Sequence, residues 1–208
     1  MGFFNKRSKR SLALEDFAAK SGLDYLNKDE FGLSNYFKGF RLLRIGMRNS
    51  VTNLTVSPGD PLDGQHGFFD YRYVIQAGNT PIIIDQTAFF VIDKEVMIPG
   101  FYLYPEKWHH KINKWFGTQD INFTKYPGFS EAYMLQSEDE DFTRTLFDDE
   151  ELIRYFEDQN GWTFEATGYY LIMYKSGKLQ DVDTIGEMMD RGLRLNEILR
   201  NRSKSLYN

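Results

Sequence analysis

Cysteine is absent from the 208 residues, and histidine occurs three times. The first absence removes disulfides, thiol nucleophiles and thiolate metal sites, and it fits a reducing compartment. The second, with no HExxH spacing, removes the commonest zinc-hydrolase arrangement. His109 and His110 are adjacent on a predicted helix, so their side chains diverge by about 100° and do not share one metal ion. No run of about 18 apolar residues is present, which excludes an apolar membrane-spanning helix. Met1 to Arg10 has basic residues with no apolar stretch after them and does not read as a secretory signal. The GxSxG elbow, the GxGxxG fingerprint and the Walker-type GxxxxGKS/T are missing as well. No motif asks for a cofactor or a metal ion, and the cytoplasm is the expected location.

Charge is unevenly spread along the chain. The net charge is −5, with acids concentrated from Glu131 to Glu165, while Lys6, Arg7, Lys9 and Arg10 make the amino end basic and Arg191, Arg194, Arg200, Arg202 and Lys204 tilt the carboxyl end the same way. An acidic body with basic ends argues against a dedicated nucleic-acid binder, whose footprint is a basic face of the folded domain. Phe3 and Phe4 followed by Lys6, Arg7, Lys9 and Arg10 suit contact with an anionic membrane surface or a protein partner, the rings inserting and the cations lying near headgroups. A solvated basic tail over residues 1–10 is the plainer reading of the same residues.

Aromatic residues are plentiful, 18 Phe and 13 Tyr, and they favour sheets and supply large buried areas. The chain is organised around Phe68 to Ile92, where two alternating runs flank Gly78-Asn79, a dipeptide suited to a two-residue hairpin turn. That loop length puts Ile75 opposite Ile82, Tyr73 opposite Ile84, Tyr71 opposite Gln86 and Phe69 opposite Ala88. On the other face Val74 meets Ile83, Arg72 meets Asp85 and Phe68 meets Phe89. Pro81 fits because its missing N–H points away from the partner strand. The later part of the second strand is apolar on both sides and is expected to be covered on both.

Around this hairpin the pattern predicts a helix from Ser11 to Lys20 ended by Gly22, a short strand near Leu23 to Leu26, and strands over Phe37 to Met47 and Val51 to Val56. A turn at Pro99-Gly100 precedes a strand over Phe101 to Tyr104. Pro105 and Gly117 bracket a helix whose Trp108, Ile112, Trp115 and Phe116 share one face. A strand near Asp120 to Phe123, a turn at Pro127-Gly128 and a strand over Phe129 to Gln136 follow. An acidic helix opens at Ser137, with a break near Asp148, and runs to Asn160-Gly161. A second hairpin turns at Gly168, and a last helix starts at Asp181.

Two clusters invite chemistry. Asp60, Asp63, His66 and Asp70 would form a pocket if their glycine-rich loop folded back, although Asp and Gly are also ordinary turn residues. Asp139, Asp141, Thr143 and Glu150 fit the first, third, fifth and twelfth places of a calcium-binding loop, but Arg144 stands where that loop needs glycine, and capping acids explain the run.

The opening Met1-Gly-Phe-Phe with its basic residues, Lys20-Ser-Gly-Leu-Asp-Tyr, Phe69-Asp-Tyr-Arg-Tyr before a Gly-Asn turn, Gln86-Thr-Ala, Pro99-Gly-Phe-Tyr-Leu-Tyr-Pro-Glu, Asp120-Ile-Asn-Phe and Phe129-Ser-Glu-Ala-Tyr together resemble a bacterial family of uncharacterised proteins. The resemblance covers most of the chain. It implies no catalytic residue, since the family defines none; some related domains look to be tethered to membranes by added hydrophobic segments, of a kind not seen in this sequence.

These readings converge on an α+β fold, a largely antiparallel sheet built on the central hairpin with helices on one side. Residues 11–208 form a single domain after the basic tail, with a subdivision near residue 100 as the second architecture. The leading functional expectation is a non-enzymatic interaction or scaffold module, peripheral to a membrane through its amino end. The alternative is a small-molecule-binding protein or hydrolase with a pocket near His66.

Overall fold

The computed structural model describes residues 8–30, 32–60, 64–108, 120–159 and 161–207. Eight strands form one antiparallel sheet, β1 (Asp24–Lys28), β2 (Met47–Val56), β3 (Gln65–Ala77), β4 (Thr80–Ile92), β5 (Ile98–Pro105), β6 (Tyr133–Ser137), β7 (Thr163–Gly168) and β8 (Tyr170–Tyr174), in the spatial order β1-β2-β3-β4-β8-β7-β5-β6. The β3–β4 hairpin has the register set by its Gly-Asn turn, from Ala77↔Thr80 through Arg72↔Asp85 to Gln65↔Ile92. Pairing of β4 with β8, from Ala88↔Tyr174 to Ile92↔Tyr170, joins strands from both halves of the chain in this one sheet.

Among the described residues, five α-helices pack on one face: α1 (Lys9–Ser21), α2 (Pro127–Ala132), α3 (Glu140–Phe147), α4 (Glu150–Glu157) and α5 (Val182–Tyr207). They bury Phe68, Phe89, Leu103, Leu135, Phe164 and Met173 of the sheet. The opposite face is covered by the connection from β1 to β2, which carries 3-10 turns at Leu33–Phe37 and Leu42–Arg44. Its Leu33, Phe37, Phe40 and Leu42 pack on Phe69, Tyr71, Phe90, Ile172 and Tyr174. Both faces are therefore dry over Leu171–Tyr174 of β8 and the second half of β4, where the apolar run Ala88 to Ile92 is buried throughout.

Local order departs from expectation in several places, each for an identifiable reason. The first helix starts at Lys9, with the Ser8 side chain accepting from Ser11 N, and ends at Gly22 in the left-handed region (φ 68°). Its amino cap is thus Ser8 rather than Ser11, and Lys9 and Arg10 belong to the helix. Phe37 to Met47 is not a strand: its buried rings sit on tight turns that cross the sheet face, and a short apolar run does not tell the two apart. Pro99 and Gly100 lie inside β5 at a register shift between Ile98 and Phe101 instead of forming a turn. Pro127 opens α2 as its first residue, a place proline suits, so the predicted strand begins only at Tyr133. Residues 120–123 are not a strand; Ile121 N donates to Leu135 O at 2.8 Å. The acidic segment is two helices, capped by Asp139 and Asp149, with the break at Asp148. The helix expected from Pro105 to Gly117, with His109 and His110, lies mostly outside the described residues, and its start is a 3-10 turn at Glu106–Trp108.

Gly192 shows how closely α5 rides on the sheet. A glycine in a helix interior costs about 1 kcal/mol relative to alanine, yet a Cβ built here would overlap the fully buried Phe89 ring. Gly192→Ala should destabilise the protein by about 1–3 kcal/mol despite its better helix propensity. Urea unfolding followed by circular dichroism checks this, and equal or greater stability would show that the ring has room to move.

Candidate functional site

Three buried or nearly buried carboxylates mark the places where the covering layers meet the sheet. Asp70 lies on the helical face of β3, and its carboxylate accepts from Arg10 Nε at 2.7 Å and Arg10 Nη2 at 2.8 Å, from Asn53 Nδ2 at 2.8 Å and from Thr87 Oγ1 at 2.8 Å. Arg10 also donates to the Gln180 carbonyl at 2.7 Å. Asn53 reaches this site because it stands in the left-handed region (φ 50°) within an irregular stretch of β2 pairing, between Thr52 and Thr55. One arginine thereby binds the first turn of α1, strands β3 and β4, and the segment leading to α5.

The cluster opens onto a cavity of about 240 Å³, which Arg10, Asn53 and Asp70 line together with Ser8, Asn27, Thr52, Arg72 and Asp85. Arg72 and Asp85 form the bidentate cross-strand pair expected from the hairpin register, at 2.6 Å and 2.9 Å.

Glu165 is the second carboxylate, buried on the opposite face of β7. It accepts from the backbone N–H groups of Arg41 at 2.5 Å and Leu42 at 2.9 Å and from the Tyr174 hydroxyl at 2.9 Å. Tyr174 is in turn hydrogen-bonded to Tyr102, and the Arg41 guanidinium lies 4.0 Å from the Tyr102 ring centre while donating to Gln136 Oε1 at 2.8 Å. Burial pushes the Glu165 carboxyl up from its ordinary pKa, against the pull of the Tyr174, Arg41 and Leu42 hydrogen bonds and the Arg41 charge. Burial and the neighbouring Glu165 charge push Tyr174 well up.

Asp93, at the end of β4, holds α5. It accepts from Asn196 Nδ2 at 2.6 Å and from Arg200 Nε at 2.9 Å and Nη2 at 2.6 Å. Burial alone would raise its pKa, but the hydrogen bonds from Asn196, Arg200 and Glu95 N and the Arg200 charge outweigh burial and leave it below the usual carboxylate range.

The residues singled out in the sequence are dispersed. Asp60 lies in the turn after β2, and Asp63 falls outside the described residues, as do Phe3, Phe4, Lys6 and Arg7. His66 and Asp70 share a face of β3 but stand four residues apart, about 13 Å along a strand. His66 is half-buried with its pKa lowered by burial, and Asp70 turns to Arg10 instead. Among the described residues no group of three or more His, Asp or Glu side chains is placed to hold a metal ion. Asp139 and Asp149 are helix caps, accepting from Phe142 N and Leu152 N. A groove of about 880 Å³ lies between α4 and α5, walled by acids and arginines, among them Glu150, Arg154, Glu187 and Arg194. Its acids outnumber its arginines, but the two signs are interspersed along its walls.

With this geometry in hand, comparison with known proteins is informative about the fold. No family model matches the chain, and no curated protein matches it. The chain is similar to a solved structure, the mycobacterial trehalose monomycolate transport factor A, TtfA. The two superpose with a TM-score of 0.58 over 94% of this chain and 95% of that chain, at 11% sequence identity. At that identity the likeness establishes a shared α+β architecture. Among the described residues no helix is long and apolar enough to cross a membrane.

Glu165 and Asp93 have distinct signals in the sequence, neither strong. Glu165 sits between Phe164 and Ala166 in a strand whose hairpin partner is apolar, Tyr170 to Tyr174, and such an acid is either on a wet face or buried with partners. Only the covering turns at residues 33–44 decide for burial. Asp93 follows an apolar strand directly and looks like a turn residue.

The two clamps make different predictions. Asp70→Leu leaves the Arg10 guanidinium half-buried without its carboxylate and should cost about 3–5 kcal/mol, much of it recovered in the double variant with Arg10→Met; a double-mutant cycle by urea denaturation measures the coupling. Glu165 has a raised folded-state pKa, so its contribution is fully present below the unfolded value of roughly 4.3 and is lost as pH rises through the folded value. The stability of the native protein relative to Glu165→Gln should therefore decline as pH rises above about 4, over the range upward to the raised folded-state value. Unfolding titrations across that range check it, and a constant difference would show that Glu165 ionises normally.

Proposed function

We propose that the chain is a non-enzymatic accessory module that works by contact with other components, in the reducing cytoplasm and at a membrane periphery. The single observation that carries this reading is the employment of its buried carboxylates. Asp70, Asp93 and Glu165 are each saturated by donors from distant parts of the chain, so the groups that general acid–base chemistry would draw on act as clamps between layers. A catalytic carboxylate needs an oxygen free to face substrate; Asp93 and Glu165 present theirs to asparagine, arginine, tyrosine and backbone donors, and Asp70, although it borders the cavity, has both oxygens taken by Arg10, Asn53 and Thr87.

Two further features support the reading. The fold neighbour is titled a transport factor, a role that fits an accessory protein. In sequence, Phe3, Phe4, Lys6 and Arg7 come before Ser8, and Lys9 and Arg10 follow it in α1, so aromatic and basic residues are grouped at the amino end.

The purified chain should turn over chromogenic carboxylic esters, phosphoesters and glycosides no faster than buffer. Turnover that disappears in Asp70→Asn or Glu165→Gln, with the Tm unchanged in the same variant, would assign chemistry to a clamp and overturn the reading.

A further inference from the structure

The β3–β4 hairpin runs past the sheet that supports its base. Strand β8 pairs with β4 only from Ala88 onward, and β2 accompanies β3 as far as Met47↔Val74. The projecting tip carries no charged residue from Tyr73 to Ile84. Its apolar side chains lie on both faces: Ile83 (61% exposed) and Met47 (57%) beside Val74 on the helical side, Ile82 (41%) and Ile75 (37%) on the other. The turn itself, Gln76 to Pro81, is polar but uncharged.

Cations ring the base of this arm. Arg48 follows Met47 directly and is exposed, and exposed Arg44 precedes it on the 3-10 turn. On the β4 side the Lys178 carbonyl accepts from Thr87 N, placing that exposed lysine next to the strand. Lys9 lies in the first turn of α1, one residue before the arginine that grips Asp70. The two acids of β3 and β4, Asp70 and Asp85, are each held by an arginine. The acid-rich helix α3 packs against β5 and β6, at the far edge of the sheet from the hairpin, and α4 packs on α2, α3 and α5.

We infer that this arm is a membrane-docking element whose uncharged tip enters the interface of an anionic bilayer while Arg44, Arg48, Lys178 and Lys9 engage its headgroups. The inference rests on reading the chain as a contact module and names the surface and the partner. A protein partner covers one face of a hairpin, whereas a bilayer interface receives isoleucines on both faces at once. The order along the arm, uncharged tip and then basic collar, is the order of depth in an anionic interface. Pro81 removes a donor from the outer edge of β4 near the tip, which disfavours strand addition by another copy.

The absence of cysteine makes the test direct. Thr80→Cys, labelled with an environment-sensitive fluorophore, should shift to the blue and brighten on mixing the full chain with phosphatidylglycerol-containing vesicles at low salt, and stay unchanged with phosphatidylcholine vesicles. The same label on Glu150→Cys, on the acidic side, should not respond. In co-sedimentation, Arg48→Asn and Lys178→Gln should each lower the partition coefficient about fivefold, and Ile82→Asn with Ile83→Asn should abolish pelleting while circular dichroism and Tm match the native protein. Vesicle binding with a silent Thr80→Cys label would move docking to another surface and overturn the inference while leaving the contact-module reading intact. Failure of the native chain to bind anionic vesicles would overturn it too, and dimers lost in the isoleucine variants would assign the arm to self-association.

Discussion

A sheet covered on both faces leaves little water for any polar group that points inward, and this constraint governs how the protein is put together. Aromatic and aliphatic side chains fill both layers, with Phe89, Phe164 and Met173 under the helices and Phe90, Ile172 and Tyr174 under the 3-10 turns. The carboxylates that intrude must be matched by donors, because a buried charge without partners is far costlier than the pair. Asp70 recruits α1, Asp93 recruits α5 and Glu165 recruits the turns that close the second face. Each clamp joins residues far apart in sequence, so the same groups that were affordable to bury also fix which layer lies where.

This economy has a bearing on function. Ionisable groups inside the fold are committed to architecture, while the surface divides its labour by charge. Acids collect on α3 and α4, while exposed Arg44, Arg48 and Lys178 stand near the projecting hairpin. The neighbour of similar architecture is a mycobacterial trehalose monomycolate transport factor, and the likeness is one of fold. At 11% identity the surfaces of the two chains are free to differ, which is why the arm and its collar are argued from this chain alone.

Much of the sheet was legible without coordinates. The Gly78-Asn79 turn fixes a two-residue loop, and alternation then leaves one register, so Arg72 had to face Asp85. The hairpin at Gly168 and the helix from Val182 followed from equally local signals. What could not be read was any feature decided by a third element. Phe37 to Met47 has strand-like composition, but its rings are spent on covering a face already made by other strands. Pro99-Gly100 and Pro127-Gly128 carry the same turn signature, yet one sits inside a strand at a register shift and the other opens a helix. His66 and Asp70 looked like partners in a loop; strand geometry separates them, and Arg10, sixty residues earlier in sequence than Asp70, takes the carboxylate.

By itself, then, the sequence determined the class of fold, the central register, the distribution of charge and the lack of thiols and of the standard catalytic motifs, because each of these depends on composition or on residues within a turn of one another. Tertiary structure decided which acids are buried, what clamps them, and that Ile75, Ile82 and Ile83 near the hairpin tip are exposed while Tyr73 at its base is covered. The physical reason is that burial is a property of neighbours: an isoleucine or a glutamate carries the same letters on a wet face as on a dry one, and only the layer laid over it settles which it is.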